Sequence, residues 1–377
     1  MAYKAASPPP PPSASSSPLL ILVGAFVAWK SFILLLSYGS ALVGPDYDTS
    51  TSLLFSLLGA PSSSSSTTTL AGRLTRWDAI YFVHGARVGH VYEQQWAFSP
   101  VLSLLLRWLS RTALPHGDQP EALAGIALAH ASHLAAALTL HRLTALLQGG
   151  GDARMPLLAA LLCVLAPAGV FLSAPYAEAP FSALSFAGVW VLAAGYRHRR
   201  GSARRWRPRP RDSAASWSLS GAWCRSMPRT RSTATAAPRG RRGATGRNVG
   251  FLRYWTPSQI PLFLLAAPVL SLLLVSGWQV LRRPAAAAGM SPSIQADHRT
   301  LLRALAASQA IVALLALTSY HVQVISRLAS GYAVWYWWIA ACLVDAERRA
   351  TGRAAVVFMV MYAGIQAVLF STFLPPA

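Results

Sequence analysis

The sequence contains few charged residues and very few acids. Of its 377 residues only 12% are charged, 12 are Asp or Glu, and 54% are hydrophobic. Soluble domains usually carry about a quarter charged residues. This composition argues against a soluble globular protein and predicts an all-α protein that crosses a membrane several times.

Cysteine is also scarce, and common nucleotide and metal motifs are absent. The three cysteines, Cys163, Cys224 and Cys342, lie far apart in the chain. Their spacing predicts neither a disulfide framework nor a zinc site. The sequence has no GxGxxG, P-loop or HExxH motif, so we expect no cofactor of those classes.

Positive charge, by contrast, is abundant, but it is concentrated in one segment. The formal net charge of +21 would normally indicate nucleic acid or anionic lipid as a partner. Residues 197–247 contain 15 arginines and a single acid, Asp212. Because the basic character belongs to that segment and not to the whole protein, we expect no nucleic acid partner.

Long apolar runs divide the chain into parts. The first run, residues 18–43, is too long and too far from the start for a cleaved signal peptide, so we interpret it as an uncleaved span. By the criterion of about 20 residues per span, the runs predict roughly eight transmembrane helices. The parts are a disordered Pro/Ser-rich tail at 1–17, a transmembrane part at 18–196 with a polar loop at 44–98, the Arg-rich segment 197–247, and a second transmembrane part at 248–377.

The charges of the loops indicate their sides of the membrane. Arginine-bearing loops at 281–284 and 345–353 are expected on the cytoplasmic side by the positive-inside rule. The polar loop 44–98 balances its arginines with acids, including Asp78 and Glu93. We therefore interpret it as a loop on the opposite side.

Asp78 is the most informative acid in that loop, within "RLTRWDAIYFVHGARVGHVYEQQWAFSP" at residues 73–100. An ionisable group close to a membrane usually has a function or a partner. Asp78 could be a general base that takes a proton from a hydroxyl group. It could equally be a solvated cap of a short helix, beside an interfacial Trp77. Spacing alone leaves both interpretations open.

Aromatic residues and histidines are frequent in the same loop. Aromatic rings could stack on sugars, but they are also typical of the belt at a membrane surface. His130 and His133, further along, share one face of a predicted helix, where hydrogen bonding between helices is more common than metal binding. The histidines therefore predict no metal site.

Two later stretches place arginine beside aromatic residues. "NVGFLRYWTPSQIPLFLLAAP" has Arg253 and Gln259 directly before an apolar run, and "YHVQVISRLASGYAVWYWWIA" has Gln323 and Arg327 about one helical turn apart. Such arginines suit a phosphate or lipid pyrophosphate. The alternative is an ordinary snorkelling arginine with an aromatic belt.

Taken in order, these motifs resemble a known family. "RWDAIYFVHGARVGHVYEQQWAFSP", "FLSAPYAEAPFSALSFAGV", "NVGFLRYWTPSQIPLFLLAAP" and "HVQVISRLASG" are similar to stretches of the GPI mannosyltransferase 2 family, the phosphatidylinositol glycan class V enzymes, in its fungal form. The resemblance covers about residues 18–196 and 248–374. In one departure, Ser99 precedes Pro100 where the family typically has Phe-Pro.

The resemblance implies a C-type glycosyltransferase bundle with a large lumenal first loop, in the endoplasmic reticulum membrane. Such enzymes transfer mannose from dolichyl-phosphate mannose, add the second mannose of the GPI precursor through an α-1,6 link, and need no other cofactor. A β-linked donor and an α-linked product mean inversion by direct attack, with a single base.

The resemblance also implies roles for individual residues. The base would be Asp78. Candidate substrate contacts are Arg76, Trp77, His84, Glu93, Glu178, Arg253, Gln259, Gln323 and Arg327. The expected partners are the lipid-linked donor, the GPI-lipid acceptor and membrane lipids, with an accessory membrane subunit as a further candidate.

The match stops at the Arg-rich segment 197–247, where relatives have further apolar segments. One explanation is a genuine basic cytoplasmic loop attracted to anionic lipid. Another is an error in the gene model, either a shifted reading frame or a wrong splice junction, because GC-rich DNA read out of frame yields Arg, Pro, Ala and Gly. We favour the second explanation.

Other functions remain open at this stage. A different lipid-linked sugar transferase would share the architecture. A transporter would also combine many spans with a few intramembrane charges, but it predicts two similar halves, and no internal repeat is visible. A non-catalytic subunit of a membrane complex is the third alternative.

Overall fold

The computed structural model describes residues 17–40, 47–57, 69–91, 93–114, 119–149, 152–205, 252 and 255–372. Every regular element in these ranges is helical. The α-helices are α1 (Pro18–Gly39), α2 (Ser50–Leu57), α3 (Leu70–Leu74), α4 (Asp78–Arg87), α5 (Pro100–Ala113), α6 (Pro120–Gln148), α7 (Arg154–Val164), α8 (Glu178–Arg205), α9 (Ile260–Arg282), α10 (Pro284–Ala287), α11 (Ala296–Thr318), α12 (Val324–Leu328), α13 (Ala333–Val344) and α14 (Arg349–Ser371). Short 3-10 helices cover Glu93–Ala97, Pro257–Gln259 and Ala329–Gly331.

Within these ranges, 6 helices are long and apolar enough to cross a membrane. They lie at Pro18–Gly39, Pro120–Gln148, Glu178–Tyr196, Pro257–Arg282, Ala296–Thr318 and Arg349–Ser371. Two shorter apolar helices, α7 and α13, fall below the length needed for a span. The predicted all-α, multi-pass architecture is confirmed. The expected count of roughly eight spans is not confirmed, because only 6 of the described helices reach the required length.

Contacts between helices identify two opposite ends of the bundle. The start of α8 lies beside Arg327, whereas Ala193, further along α8, accepts a hydrogen bond from His298 near the start of α11, with 3.2 Å between Nε2 and the carbonyl oxygen. At the other end of α11, the Leu317 carbonyl accepts from Trp255 Nε1 at 2.8 Å, just before α9 begins. The end that contains Arg327 is called the site end below.

Residues 165–177 are not helical, although the sequence runs on as an apolar segment there. α7 ends at Val164, and a series of turns leads to α8. Backbone groups outside a helix need other partners in apolar surroundings. Lys30, in the middle of α1, supplies one: its Nζ donates to the Leu172 carbonyl at 2.7 Å and to Ser173 Oγ at 2.9 Å. The Lys30 side chain is buried and faces protein.

The helix α8 extends past the sequence boundary that we placed at residue 197. Its backbone is helical as far as Arg205. Residues 206–247 of the Arg-rich segment lie outside the described residues, as does the tail at 1–16. The expectations of disorder for those residues stay predictions.

Candidate active site

The backbone just before α4 places Asp78 at the site end of the bundle. Trp77 has a φ of 54° and a ψ of −128°, a conformation that is strained for any residue with a side chain. Asp78 follows as the first residue of α4, where the positive end of the helix dipole favours a carboxylate. Hydrogen bonds hold the two preceding residues in place. The Thr75 carbonyl accepts from the Thr51 hydroxyl at 2.7 Å, and the Arg76 carbonyl accepts from the Tyr176 hydroxyl at 3.2 Å.

Arg327 lies between two carboxylates at this point. Its Nη1 is 3.2 Å from Asp78 Oδ2, and its Nε is 3.5 Å from Glu178 Oε1. The side chain of Asp78 is 39% exposed, whereas those of Arg327 and Glu178 are 19% and 13% exposed. The more open carboxylate is therefore Asp78, and the deeper one, Glu178, holds the guanidinium from behind.

Two aromatic rings complete the surroundings of Arg327. The centre of its guanidinium lies 5.0 Å from the ring centroid of Phe171 and 5.6 Å from that of Tyr176, within cation–π range. Both rings belong to the non-helical residues 165–177. Burial raises the pKa of Tyr176 well above its ordinary value, and Asp78 acts in the same direction. Tyr176 therefore stays a neutral phenol that can donate to the Arg76 carbonyl.

The charge of Arg327 is maintained by its partners. Burial alone would lower the pKa of Arg327, but the carboxylates of Glu178 and Asp78 raise it above its ordinary value. The guanidinium is accordingly a fixed cation at every relevant pH. Phe171, Tyr176, Asp78, Glu178 and Arg327 form one cluster, which we call the Arg327 cluster.

A cleft of about 480 Å³ opens beside the Arg327 cluster. This volume falls in the range of small-molecule sites. Asp78 connects the cleft to the cluster, because it lines the first and belongs to the second. The polar and aromatic residues that line it are Asp48, Ser50, Trp77, Asp78, Tyr81, His84 and Gln95.

The structure brings some of the predicted site residues together and separates others. Asp78, Glu178 and Arg327 meet directly, and Trp77 and His84 line the cleft. Arg76 is buried, and its carbonyl accepts a hydrogen bond from Tyr176. Gln323 precedes α12, the helix that carries Arg327. Gln259 precedes α9, which packs against α12. Among the described residues, no hydrogen bond joins either glutamine side chain to the cluster, so their predicted roles stay predictions.

Two further candidates are placed differently. Glu93 begins the 3-10 helix Glu93–Ala97 with its side chain exposed, and it is not among the residues lining the cleft. Arg253 lies outside the described residues. The described residues contain no group of three or more His, Cys, Asp or Glu that could hold a metal ion.

Sequence reasoning missed several members of the site. Phe171 and Tyr176 contact Arg327 from the non-helical segment, and Asp48 and Gln95 line the cleft. Only Tyr176 carried a signal in the sequence, since it is two residues before Glu178 in "SAPYAEAPF". The others reach the site through long-range folding, which leaves no local pattern.

Comparison with known proteins gives a consistent result. The family model for "Mannosyltransferase (PIG-V)" matches residues 21–221 and 246–377. A Gibberella zeae protein named GPI mannosyltransferase 2 is 40% identical over 421 residues, covering 95% of this chain and 98% of that protein. A Chaetomium globosum protein of the same name is 36% identical over 478 residues, covering 100% of both chains.

A more distant relative has a more specific name. A Cricetulus griseus protein named GPI alpha-1,6-mannosyltransferase 2 is 37% identical over 131 residues, which is 33% of this chain and 26% of that protein. No solved structure matches the chain. The interruption between the two ranges matched by the family model lies inside the Arg-rich segment 197–247.

Proposed function

This chain belongs to the PIG-V mannosyltransferase family, and on that premise we propose that it adds the second mannose, in α-1,6 linkage, to a GPI-anchor precursor. The relatives named GPI mannosyltransferase 2 support the acceptor class, and the name of the Cricetulus griseus relative supports the linkage. We further propose dolichyl-phosphate mannose as the donor and the endoplasmic reticulum membrane as the location.

One observation carries the chemical part of the proposal: Asp78 is partly exposed at the edge of a cleft and held there by a buried cation. In an inverting transfer, an acceptor hydroxyl attacks C1 of the mannose from the face opposite the phosphate. The C1–O bond to the phosphate breaks, and its electron pair leaves with the phosphate. The proton of the attacking hydroxyl passes to a base, which we assign to Asp78.

The hydrogen bond with Arg327 leaves room for this role. It uses Oδ2 of Asp78, so Oδ1 is the oxygen that can accept the proton. Because Arg327 fixes the carboxylate in one orientation, the base does not have to be ordered during the reaction. Glu178 pairs with the same guanidinium, so the positive charge of Arg327 is shared between two carboxylates and is not directed at Asp78 alone.

Arg327 also suits the donor phosphate. Its ion pairs use Nη1 and Nε, so Nη2 remains for another anion. Guanidinium groups bind phosphate well through their planar set of donors. We therefore propose that Arg327 contacts the leaving phosphate as well as Asp78.

The distribution of arginines supports a lumenal site. Arg282, Arg283 and Arg348 line a cavity at the end of the bundle opposite the Arg327 cluster. The positive-inside rule assigns that end to the cytoplasm. The Arg327 cluster then lies on the lumenal side, which is where we propose that the lipid-linked mannose is presented.

The experiment that tests this function is complementation of cells that lack the second GPI mannosyltransferase, with surface GPI-anchored protein as the readout. We expect the chain with residues 197–247 replaced by the segment of a relative to restore the surface signal, and Asp78→Asn in the same background to abolish it at equal protein abundance. The matched control is Asp152→Asn, since Asp152 is an exposed acid that only caps the start of α7 through Arg154 N.

Each outcome has a clear consequence. Rescue by Asp78→Asn would show that Asp78 is not the base. If the chain fails but rescues once residues 197–247 are replaced by the segment of a relative, the function stands and that segment is at fault. Failure of both versions, at normal abundance, would overturn the proposed function.

A further inference from the structure

Gln95 holds a fixed orientation beside His84. Its side chain is 3% exposed, within the 3-10 helix Glu93–Ala97. The Oε1 atom accepts a hydrogen bond from the backbone N–H of Val91 at 2.8 Å. Because a backbone N–H can only donate, this bond determines which end of the amide is oxygen. The NH₂ end therefore points the other way, and its Nε2 lies 2.8 Å from His84 Nδ1.

This arrangement determines the tautomer of His84. An amide NH₂ group can only donate, so Nδ1 of His84 must be the acceptor and cannot carry a proton. In the neutral ring the proton is then on Nε2. His84 also lines the cleft that contains Asp78, so its ring can offer an N–H donor to a molecule bound there.

The electrostatic surroundings agree with a neutral ring. Burial lowers the pKa of His84, and the nearby His90 lowers it further. The acids that line the same cleft are Asp48 and Asp78. Even with these two acids in the cleft, the pKa of His84 stays below its ordinary value because of burial.

We propose that Gln95 is a positioning residue that keeps His84 in its Nε2–H form, so that His84 donates a hydrogen bond to a hydroxyl oxygen of the acceptor glycan. This inference rests on the proposed mannosyl transfer. It gives two residues of the cleft different roles: Asp78 accepts the proton, and His84 orients the acceptor.

The geometry disfavours the opposite assignment, in which His84 is the base. To accept a proton at Nε2, the ring would need its own proton on Nδ1. That proton would face the NH₂ group of Gln95 across 2.8 Å, and two donors would then oppose each other. Asp78 is therefore the better proton acceptor in the cleft.

The first test compares two substitutions of His84 in the purified full-length protein that carries a relative's segment in place of residues 197–247, with dolichyl-phosphate mannose and a monomannosylated GPI lipid as substrates. In His84→Gln the amide nitrogen can occupy the position of Nε2, whereas in His84→Asn it reaches only that of Nδ1. We expect His84→Gln to keep most of the activity. We expect His84→Asn to raise the KM for the acceptor about tenfold, as for the loss of one hydrogen bond, with little change in the KM for the donor.

The second test changes Gln95 and follows the pH–rate profile. In Gln95→Glu, one carboxylate oxygen can still accept from Val91 N–H, while the other favours a proton on Nδ1. With Nδ1 protonated, His84 can donate from Nε2 only as the imidazolium, which the carboxylate stabilises. We therefore expect activity to persist on the acid side of the profile and to fall on the alkaline side, where the ring loses its second proton. Gln95→Leu removes the constraint on the ring and should raise the KM for the acceptor as His84→Asn does.

The outcomes separate this inference from the proposed function. If Asp78→Asn abolishes transfer but His84→Asn behaves like His84→Gln, the function stands and the role of His84 is wrong. A shift of the acid limb of Gln95→Glu to higher pH would make His84 a base and would also overturn the inference. If the protein that carries the relative's segment but no other substitution, correctly folded, transfers no mannose to this acceptor, both fall together.

Discussion

Arg327 Nη1 donates a hydrogen bond to Asp78 Oδ2 over 3.2 Å, although 249 positions separate the two residues in the sequence. The bond joins the polar loop after α1 to the short helix α12. Glu178, at the start of α8, shares the same guanidinium. Three distant parts of the chain thus meet at a single cation, and changing that cation should affect all of them.

Substitution of Arg327 should therefore impair both activity and stability. Arg327→Gln leaves the largely buried Glu178 without its cation, which is strongly unfavourable, and releases Asp78 from its orientation. We expect transfer to fall by about two orders of magnitude, in line with the loss of a positioned charged group. Arg327→Lys should be intermediate, because one ammonium cannot replace the two-sided fork of a guanidinium. Mannose transfer and thermal unfolding in detergent measure the two effects.

The matched control is Arg348→Gln. Arg348 also forms an ion pair, 2.8 Å from Asp345, but at the opposite end of the bundle and with both side chains more than a third exposed. Exposed pairs contribute little to stability. Transfer by Arg327→Gln at the level of this control would show that the Arg327 cluster is not the active site.

The sequence predicted the charged residues of the site but not that they contact one another. Asp78, Glu178 and Arg327 stood out because ionisable residues near a membrane are rare and usually functional. Nothing in their local patterns indicates that one guanidinium contacts both acids. Such pairing depends on how α8, α4 and α12 pack, which a single sequence does not encode in any short window.

The long helices were predictable for a physical reason. A bilayer leaves no water for backbone groups, so an apolar run of about 20 residues has to be helical. The apolar residues 165–177 were the exception, since hydropathy does not distinguish a helix from turns that are buried in protein. Pro167 and Pro175 were the only signal, and Lys30, which satisfies the Leu172 carbonyl, lies far away in α1.

Lys30 should accordingly influence the Arg327 cluster indirectly. Lys30→Met removes the donor for the Leu172 carbonyl and loosens the segment that carries Phe171 and Tyr176. A buried group left unsatisfied costs about 1–3 kcal/mol, so the free energy of unfolding should fall by that order and transfer should fall with it.

Ser173→Ala provides the comparison for Lys30→Met. It removes one of the two acceptors but leaves the bond from Lys30 to Leu172 at 2.7 Å. We expect a smaller loss of thermal stability and of transfer than in Lys30→Met. Equal effects of the two substitutions would mean that Lys30 does not anchor the segment through Leu172.

Gly331 offers a test of packing next to the Arg327 cluster. A Cβ atom at this position would clash with Cε1 of Phe181 on α8, so Gly331→Ala has to displace one of the two. Overpacking of this kind costs about 1–3 kcal/mol. We expect lower thermal stability and lower transfer. Phe181→Leu, which removes the opposing ring, should restore part of both in the double variant.

Gly188→Ala is the control for this pair. Gly188 lies on the same helix as Phe181, but a Cβ added there meets nothing within 4 Å. This substitution should leave stability unchanged or slightly higher, because alanine favours helix more than glycine does. If the double variant were no better than Gly331→Ala alone, the predicted clash with Phe181 would be wrong.

The lowered pKa of His84 predicts a pH dependence of stability. In the folded protein, burial and the nearby His90 hold the pKa of this ring below its ordinary value of 6.5. The unfolded chain then binds the proton more readily, so the stabilising contribution is complete above about pH 6.5 and is lost as the pH falls below it. We expect the unfolding temperature of the protein to fall less between pH about 7.5 and about 5.5 in His84→Gln than in the unaltered protein.

His321→Gln serves as the control for the pH dependence. His321 is exposed in the turn directly after α11. With this substitution, the change in unfolding temperature between the two pH values should be the same as in the unaltered protein. A pH dependence that is the same in His84→Gln as in the unaltered protein would assign the acid sensitivity to other groups.

The connection between α8 and α9 leads to a prediction about topology. α8 starts at the site end and reaches the opposite end by Ala193, whereas Trp255, just before α9, lies at the site end beside Leu317. The chain therefore has to cross the bilayer an odd number of times between them. Residues 206–250 contain no apolar run of about 20 residues.

This conflict favours an error in the gene model over a genuine basic loop. The alignment with the Gibberella zeae relative extends over 421 residues, more than the 377 of this chain, so the relative has residues that are lacking here. We expect the sequenced transcript to encode an odd number of apolar spans in place of part of the Arg-rich segment. A transcript that reproduces residues 197–247 in frame would contradict this.

Glycosylation tags test in the protein how many times the chain crosses the membrane between α8 and α9. A tag with an N-glycosylation acceptor should remain unmodified after Arg205 and become modified before Trp255 in the corrected chain, since only the second position is lumenal. In the chain as given, an arginine-rich connection cannot enter the hydrocarbon region without a large penalty. The two tags should then report the same side, α9 should insert with inverted orientation or not at all, and the Arg327 cluster should not assemble. Modification of the second tag alone in the unaltered chain would show that residues 206–250 do make the crossing.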